Sequence, residues 1–327
     1  MRHRFPPDIP LLLAAFCLAM PVEANPNPGR NRIARVVTVS QDMLQGRSPD
    51  ELVSSTLERL NLAASFHPDI ACLPELFTRK AAEAVPGPTT ERLSTWARTH
   101  SSYVLFGMKT KTDGKVYNSA ILIDRQGRIA GQYNKIHPTE TEVQEGTHPG
   151  DTGLRVFETD FGTIGIQICF DVNWWDNWKR LKQSGAKIVF FPSAYPAATQ
   201  LAALALTNQF YIVSSTNAGP SKIFDITGRV LASSGKHEPW AAAALPMGKR
   251  LFETDFHTNK ARQIQQKYGS RVEVVWYNED DWFTLASLDP ELTTEEVIAE
   301  FGLTPLDDYR ARATRAIDSA CAGAAAK

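Results

Sequence analysis

Three side chains in this sequence have the types that a nucleophilic hydrolysis needs, and each stands at the end of a largely apolar run. Cys169 follows Thr163-Ile164-Gly165-Ile166-Gln167-Ile168, Glu75 follows Ile70-Ala71-Cys72-Leu73-Pro74, and Lys135 follows Tyr133-Asn134. A thiol attacks a carbonyl or nitrile carbon only after losing its proton. A carboxylate can take that proton when burial lifts its proton affinity toward neutrality. A lysine ammonium stabilises the oxyanion of the tetrahedral adduct and also favours the thiolate. Taken singly, each residue fits a plainer role: Cys169 a small core side chain, Glu75 a surface-turn acid, Lys135 a solvated loop cation. His137, close to the lysine, is an alternative base in the manner of a Cys-His pair. It equally fits a residue that fixes the lysine loop.

Such groups act together only if strands carry them to one rim. Alternation over residues 163–169 predicts a strand with Ile164, Ile166 and Ile168 on one face. Gly165, Gln167 and Cys169 share the other, where small or polar side chains leave room for a ligand. Further strands are predicted over residues 33–40, 69–74, 103–109, 116–124, 128–133, 154–158, 188–191, 210–215, 221–226, 229–233 and 238–246. Helices are predicted over 49–66, 89–100, 174–184, 197–208 and 258–268, the first capped by Ser48. Residues 136–151, rich in Pro, Gly, Thr and Glu, read as irregular. The layout is two strand–helix–strand halves in one α/β domain over residues 33–270. Residues 271–327 read as a more polar C-terminal extension with a helix over 293–301.

The chain has 327 residues, 43% hydrophobic and 22% charged, with a formal net charge of -1. That is ordinary globular composition, without the basic excess of a nucleic-acid-binding surface. Residues 1–24 combine a basic start (Arg2, His3, Arg4), an apolar stretch from Ile9 to Met20, and the small residues Val22 and Ala24 at cleavage positions. They read as a secretory signal, with an uncleaved anchor as the alternative. A Pro/Asn/Gly linker follows over residues 25–32, so the mature protein is expected to be secreted or periplasmic and free of the membrane. Cys72, Cys169 and Cys321 would remain after cleavage. An odd number leaves at least one free thiol, and a Cys72–Cys321 pair is one alternative. No Cys/His spacing suits zinc, and neither a metal nor a cofactor is expected.

Leu73-Pro74-Glu75-Leu76-Phe77, Tyr133-Asn134-Lys135-Ile136-His137-Pro138 and Ile168-Cys169-Phe170-Asp171 together resemble the motifs of the nitrilase superfamily of carbon–nitrogen hydrolases. The resemblance spans about residues 33–270. Its order and spacing match: sixty residues from Glu75 to Lys135, then thirty-four to Cys169. Tyr117-Asn118-Ser119-Ala120, Pro149-Gly150, Phe191-Pro192-Ser193-Ala194 and Asn208-Gln209 look like framework features of the same family. The resemblance implies a four-layer α-β-β-α sandwich, an amidase-like enzyme without a cofactor, and association into a homodimer or higher homo-oligomer. It implies that Glu75 is the general base, Cys169 the nucleophile and Lys135 the oxyanion stabiliser, with the Phe170 backbone N–H as a second oxyanion donor. Many members add a second glutamate, for which Glu140, Glu142 and Glu145 compete. Glu145, ahead of Pro149-Gly150, resembles the aliphatic-amidase pattern and is preferred over Glu142. Asn173, Trp174 and Tyr195 are expected as pocket neighbours, although core or dimer packing is the plainer reading of Trp174, Trp175 and Trp178. Phe170-Asp171 departs from the Trp-Glu that usually follows the cysteine in true nitrilases. That favours a small amide or N-carbamoyl substrate. A nitrilase, or a nitrilase-fold binding protein without turnover, is the alternative.

Overall fold

The structure is a computed structural model and describes residues 32–44 and 46–325. The expected export signal over residues 1–24, and the linker up to residue 31, lie outside the described residues. The first half runs β1 (Ile33–Val39), α1 (Pro49–Ala63), β2 (Ile70–Cys72), α2 (Pro88–His100), β3 (Tyr103–Thr112), β4 (Lys115–Ile123), β5 (Ile129–Asn134) and α3 (Glu140–Gln144). The second runs β6 (Phe157–Thr159), β7 (Gly162–Ile166), α4 (Trp175–Gln183), β8 (Ile188–Ser193), α5 (Ala198–Asn208), β9 (Tyr211–Thr216), β10 (Lys222–Phe224), β11 (Val230–Ser233) and β12 (Trp240–Pro246). Then come β13 (Arg250–Glu253), α6 (Thr258–Tyr268), β14 (Val272–Tyr277), β15 (Trp282–Ser287), α7 (Thr294–Phe301) and α8 (Leu306–Ala325).

Two six-stranded sheets result, ordered β12-β1-β2-β3-β4-β5 and β11-β10-β9-β8-β7-β6. Each has a parallel centre, β1-β2-β3 in one and β7-β8-β9 in the other. Period-two alternation sorts their side chains into layers. Val36, Ile70, Cys72 and Leu105 meet Ile164, Ile166, Phe190 and Val213 between the sheets. On the outer face of the first sheet, Val37, Ala71, Leu73 and Val104 pack against Leu57, Leu60, Leu93 and Trp96 of α1 and α2. Val189, Phe191 and Ile212 do the same for the second sheet against Trp178, Leu181, Leu201 and Leu204 of α4 and α5. The order of layers is therefore α-β-β-α. Strands buried on both faces explain apolar runs such as Ile188-Val189-Phe190-Phe191, and each fully buried large aliphatic contributes roughly 1.5–3 kcal/mol before entropy is charged.

Local chemistry sets the helix starts. Ser48 caps α1 in a reciprocal capping box with Glu51, and Pro49 occupies the first helical turn. The helix tightens into a 3₁₀ turn over Ala64–Phe66, inside the range predicted as helix. Two other expectations are corrected. The strand predicted over residues 163–169 stops at Ile166. Gly165 leaves room for α4 rather than for a ligand, since a Cβ there would stand 2.9 Å from Leu181 Cδ1.

The boundary expected at residue 270 also moves. A third sheet, β13-β15-β14, draws strands from both sides of it. Phe252, Ala261, Ile264, Phe283, Leu285 and Val297 fill its own core against α6 and α7. The unit joins the sandwich through the buried Lys249 ammonium, 3.0 Å from Asp225 Oδ1 and 3.4 Å from Glu273 Oε2. What read as a polar extension is thus largely folded structure that begins directly after β12.

Candidate active site

Glu75, Lys135 and Cys169 sit just beyond β2, β5 and β7. They are nearly inaccessible, at 4%, 2% and 7% exposure. Glu75 lies in a turn laid flat on β3. The Gly107 N–H donates to Pro74 O at 3.1 Å, and the Phe77 N–H donates to Gly107 O at 3.0 Å. A Cβ on Gly107 would lie 2.5 Å from Glu75 Cα, so only glycine permits that approach. Asn217 Nδ2 holds the same turn from the second sheet, donating to Glu75 O at 2.9 Å. Lys135 extends the β4–β5 ladder by donating its N–H to Asn118 O at 2.8 Å. Its carbonyl accepts the Gly150 N–H at 2.8 Å. The side chain then turns inward.

The Lys135 ammonium donates to Glu75 Oε1 at 2.9 Å and to Glu142 Oε2 at 2.7 Å. Asn118 Nδ2 bridges the same two carboxylates, 2.7 Å from Glu75 Oε1 and 2.7 Å from Glu142 Oε1. Burial opposes the charge on Lys135, but Glu75, Cys169 and Glu142 outweigh it and hold the ammonium well above its ordinary range. Burial likewise opposes ionisation of Glu142, yet Lys135, the Thr139 N–H and Asn118 keep its carboxyl below the usual range.

Glu145, the preferred second glutamate, is not in this group. Its side chain is 61% exposed and its nearest ionic partner is Lys109 at 3.9 Å. The reason is a capping box. Thr139 caps α3, Glu142 donates its N–H to Thr139 Oγ1 at 3.2 Å, and Glu142 Oε2 accepts the Thr139 N–H at 2.7 Å. That curls Glu142 back toward the helix start and onto Lys135. Glu145, at the other end of this five-residue helix, faces outward.

Cys169 opens a 3₁₀ turn over Cys169–Asn173 with φ at 45°. A left-handed conformation is unfavourable for a non-glycine residue and is held here by its surroundings. Burial and the Glu75 charge push its thiol up to about 12, against the pull of Lys135, the Ala194 N–H and the Ser193 hydroxyl. The sulfur therefore rests as a thiol and needs a base. Phe170, whose N–H was expected as an oxyanion donor, is the next residue of this turn. Tyr195 is within electrostatic reach: burial first, then Cys169 and Glu75, raise its phenol.

The other expected neighbours have different employment. Asn173 Nδ2 donates to Phe170 O at 3.1 Å and its Oδ1 accepts from Gln200 at 3.2 Å, closing the turn onto α5. Trp174 stacks on His137 with ring centroids 3.7 Å apart. His137 Nδ1 meets Asp171 Oδ1 at 2.9 Å, the loop-fixing arrangement rather than that of a base for the thiol. Asn118, Ser193 and Asn217 were not singled out as site residues, although two of them lie in framework stretches that the resemblance marked. Among the described residues Cys72, Cys169 and Cys321 are all unpaired, so the Cys72–Cys321 bond is not formed. Among those residues no group of three or more His, Cys, Asp or Glu is placed to hold a metal ion, and no helix is long and apolar enough to cross a membrane.

A buried thiol, carboxylate and ammonium thus stand together at one rim of a double sheet. The profile of the family described as Carbon-nitrogen hydrolase matches residues 34–248, and the chain belongs to that family, whose enzymes cleave C–N bonds other than peptide bonds. The chain is 31% identical over 211 residues to a nitrilase of Pyrococcus abyssi, covering 60% of this chain and 80% of that protein. It is 29% identical over 219 residues to an omega-amidase of Xenopus tropicalis, covering 57% and 79%. In fold it resembles a Saccharomyces cerevisiae member of branch 10 of the nitrilase superfamily, with a TM-score of 0.59 and 19% identity over 73% of this chain and 95% of that one. It also resembles a mutant amidase of Nesterenkonia carrying the acetamide moiety of fluoroacetamide on its active-site cysteine, at a TM-score of 0.56 and 16% identity over 74% and 98% of the two chains.

Proposed function

We propose that this enzyme hydrolyses a small amide or N-carbamoyl compound through a thioester on Cys169. The supporting observation is the buried group of Glu75, Lys135 and Glu142, in which Glu75 and Lys135 act on the Cys169 thiol and Glu142 holds Lys135. Glu75 takes the thiol proton as sulfur bonds to the carbonyl carbon. The Lys135 ammonium and the Phe170 N–H receive the oxyanion. Glu75 returns the proton to the departing nitrogen, which is too basic to leave as an anion, and ammonia or an amine is released. Glu75 then deprotonates a water that attacks the thioester, freeing the acid and the thiol. Glu142 keeps the ammonium charged and fixed throughout. Each well-placed oxyanion donor is worth roughly 3–4 kcal/mol.

Phe170-Asp171 after the cysteine supports an amide over a nitrile, and similarity to an omega-amidase is in keeping with it. The similarity to a nitrilase supports the second reading, acid and ammonia from a nitrile by the same thiol. Ammonia release across a panel of amides, N-carbamoyl compounds and nitriles, with Cys169→Ser as control, decides between them. Turnover of nitriles alone reverses the preference, and silence on all three with Cys169 intact favours a binding protein. Export rests on residues 1–24, and N-terminal sequencing of the mature protein tests it. Self-association rests on the family resemblance, and mass in solution tests that.

A further inference from the structure

The mechanism leaves Asp171 unused, although it is completely buried two residues past the thiol. Its two oxygens meet four groups drawn from both halves of the chain. Oδ1 accepts the His137 backbone N–H at 2.9 Å and meets His137 Nδ1 at 2.9 Å. Oδ2 accepts the Tyr133 hydroxyl at 2.9 Å and the Ile168 N–H at 3.0 Å. Tyr133 and His137 bracket Lys135, and Ile168 immediately precedes Cys169. Gln167 braces the same point, its Nε2 donating to the Tyr133 oxygen at 3.0 Å. Each oxygen accepts one backbone N–H and faces one further side-chain group. Capping the nucleophile turn would need the Ile168 contact alone. The contacts to Tyr133 and His137, 38 and 34 residues away, have no part in that cap.

We propose that Asp171 is a positioning residue: one buried carboxylate ties the turn carrying Cys169 to the segment carrying Lys135 and so sets the separation of thiol and ammonium. The inference rests on reading those two residues as nucleophile and oxyanion donor. It acts through geometry, touching neither substrate nor reacting atoms. Stacking of Trp174 on His137 closes the outer side of the joint.

Asp171→Asn tests it, since in either orientation the amide turns its donor toward a backbone N–H, that of His137 or of Ile168. The expected result is a fall in kcat of about 100-fold, the scale of a misplacement near 1 Å, with KM within about twofold. Alkylation of Cys169 by iodoacetamide without substrate, at about pH 8, should slow at least about 10-fold, because a receding Lys135 no longer offsets Glu75 beside the sulfur, with Tyr195 the other titratable group in reach. A merely structural role lowers the melting temperature but leaves kcat and alkylation of the folded molecules at wild-type values, and that result overturns the proposal. Should Asp171→Asn fail to fold, Tyr133→Phe and His137→Ala each remove one partner: slowed alkylation at unchanged KM supports the joint, and wild-type behaviour of both overturns it. Cys169→Ser keeps the two readings apart. Ammonia release surviving in Cys169→Ser removes the nucleophile assignment, whereas its loss beside a wild-type-like Asp171→Asn removes only the joint.

Discussion

Gly107→Ala is the most economical way to move the proposed general base without touching it. A Cβ at this position lies 2.5 Å from Glu75 Cα, 2.8 Å from Leu76 N and 2.9 Å from Pro74 O, where ordinary contact begins at 3.4 Å. All three are backbone atoms, so no side chain can swing aside. To reach ordinary contact the turn must retreat by about 0.9 Å, the difference between 3.4 and 2.5 Å. It is stitched to β3 at Pro74 and Phe77 and to Asn217 at Glu75, so it retreats only by stretching those bonds. The 2.9 Å contact between Glu75 and Lys135 opens with it. Overpacking of this kind costs about 1–3 kcal/mol, and in a domain this size each kcal/mol lowers Tm by roughly 2–4 °C. A displacement near 1 Å at a reacting group costs about 100-fold in rate. The assay is ammonia release on the best amide, beside a thermal melt, with Gly235→Ala as control because a Cβ there meets nothing within 4 Å. Gly107→Ala that keeps kcat within about twofold and an unshifted Tm would refute the claim that this close approach holds Glu75 in place.

Three further outcomes follow from the same geometry. Glu142→Gln removes one of the two carboxylates on Lys135 and should lower kcat by about 10-fold or more, whereas Glu145→Gln, at an exposed and distant pair, should change it less than about twofold; steady-state kinetics of the two variants checks this, and the reverse order would restore Glu145. With its thiol pushed up to about 12, Cys169 of the free enzyme is almost wholly protonated at neutrality, so its thiolate fraction rises about tenfold per pH unit through the range from about 7 to 10. Stopped-time alkylation should trace that slope, and a plateau below about pH 8 would show a stored thiolate instead. Lys135→Ala should lose about 100-fold or more in kcat. It should also lose about 3–5 kcal/mol of stability, since Glu75 and Glu142 are left buried without their cation; activity and denaturant melts measured together test both halves.

The strands that carry the site were legible because burial on both faces leaves a strong pattern. Val36 and Val37, or Phe190 and Phe191, face opposite layers and are both fully buried, so the runs stay apolar and are hard to miss. The same signal failed at α3, a five-residue helix with no buried residue and hence no apolar stripe. It weakened again in the third sheet. Four of the six residues of β14 are only partly covered, and the charged stretches around it read as an extension.

The second glutamate shows which kind of reasoning the site demanded. Pattern likeness to Pro149-Gly150 pointed to Glu145. Hydrogen-bond accounting over Thr139-Glu140-Thr141-Glu142 points elsewhere, because a threonine followed three residues later by a glutamate is a capping box. A capping box turns that glutamate back over the residue that precedes the helix. Lys135 lies four residues before that cap, so the local rule delivers the Glu142 carboxylate to the ammonium, as the 2.7 Å contact records. The catalytic candidates all stand past strand ends, in turns without hydrophobic period. What locates them there is which donor meets which acceptor: Asn118 between two carboxylates, Gly107 beneath Glu75, and Asp171 between two loops. Periodicity selects the rim, and hydrogen-bond satisfaction at the turns selects the residues on it.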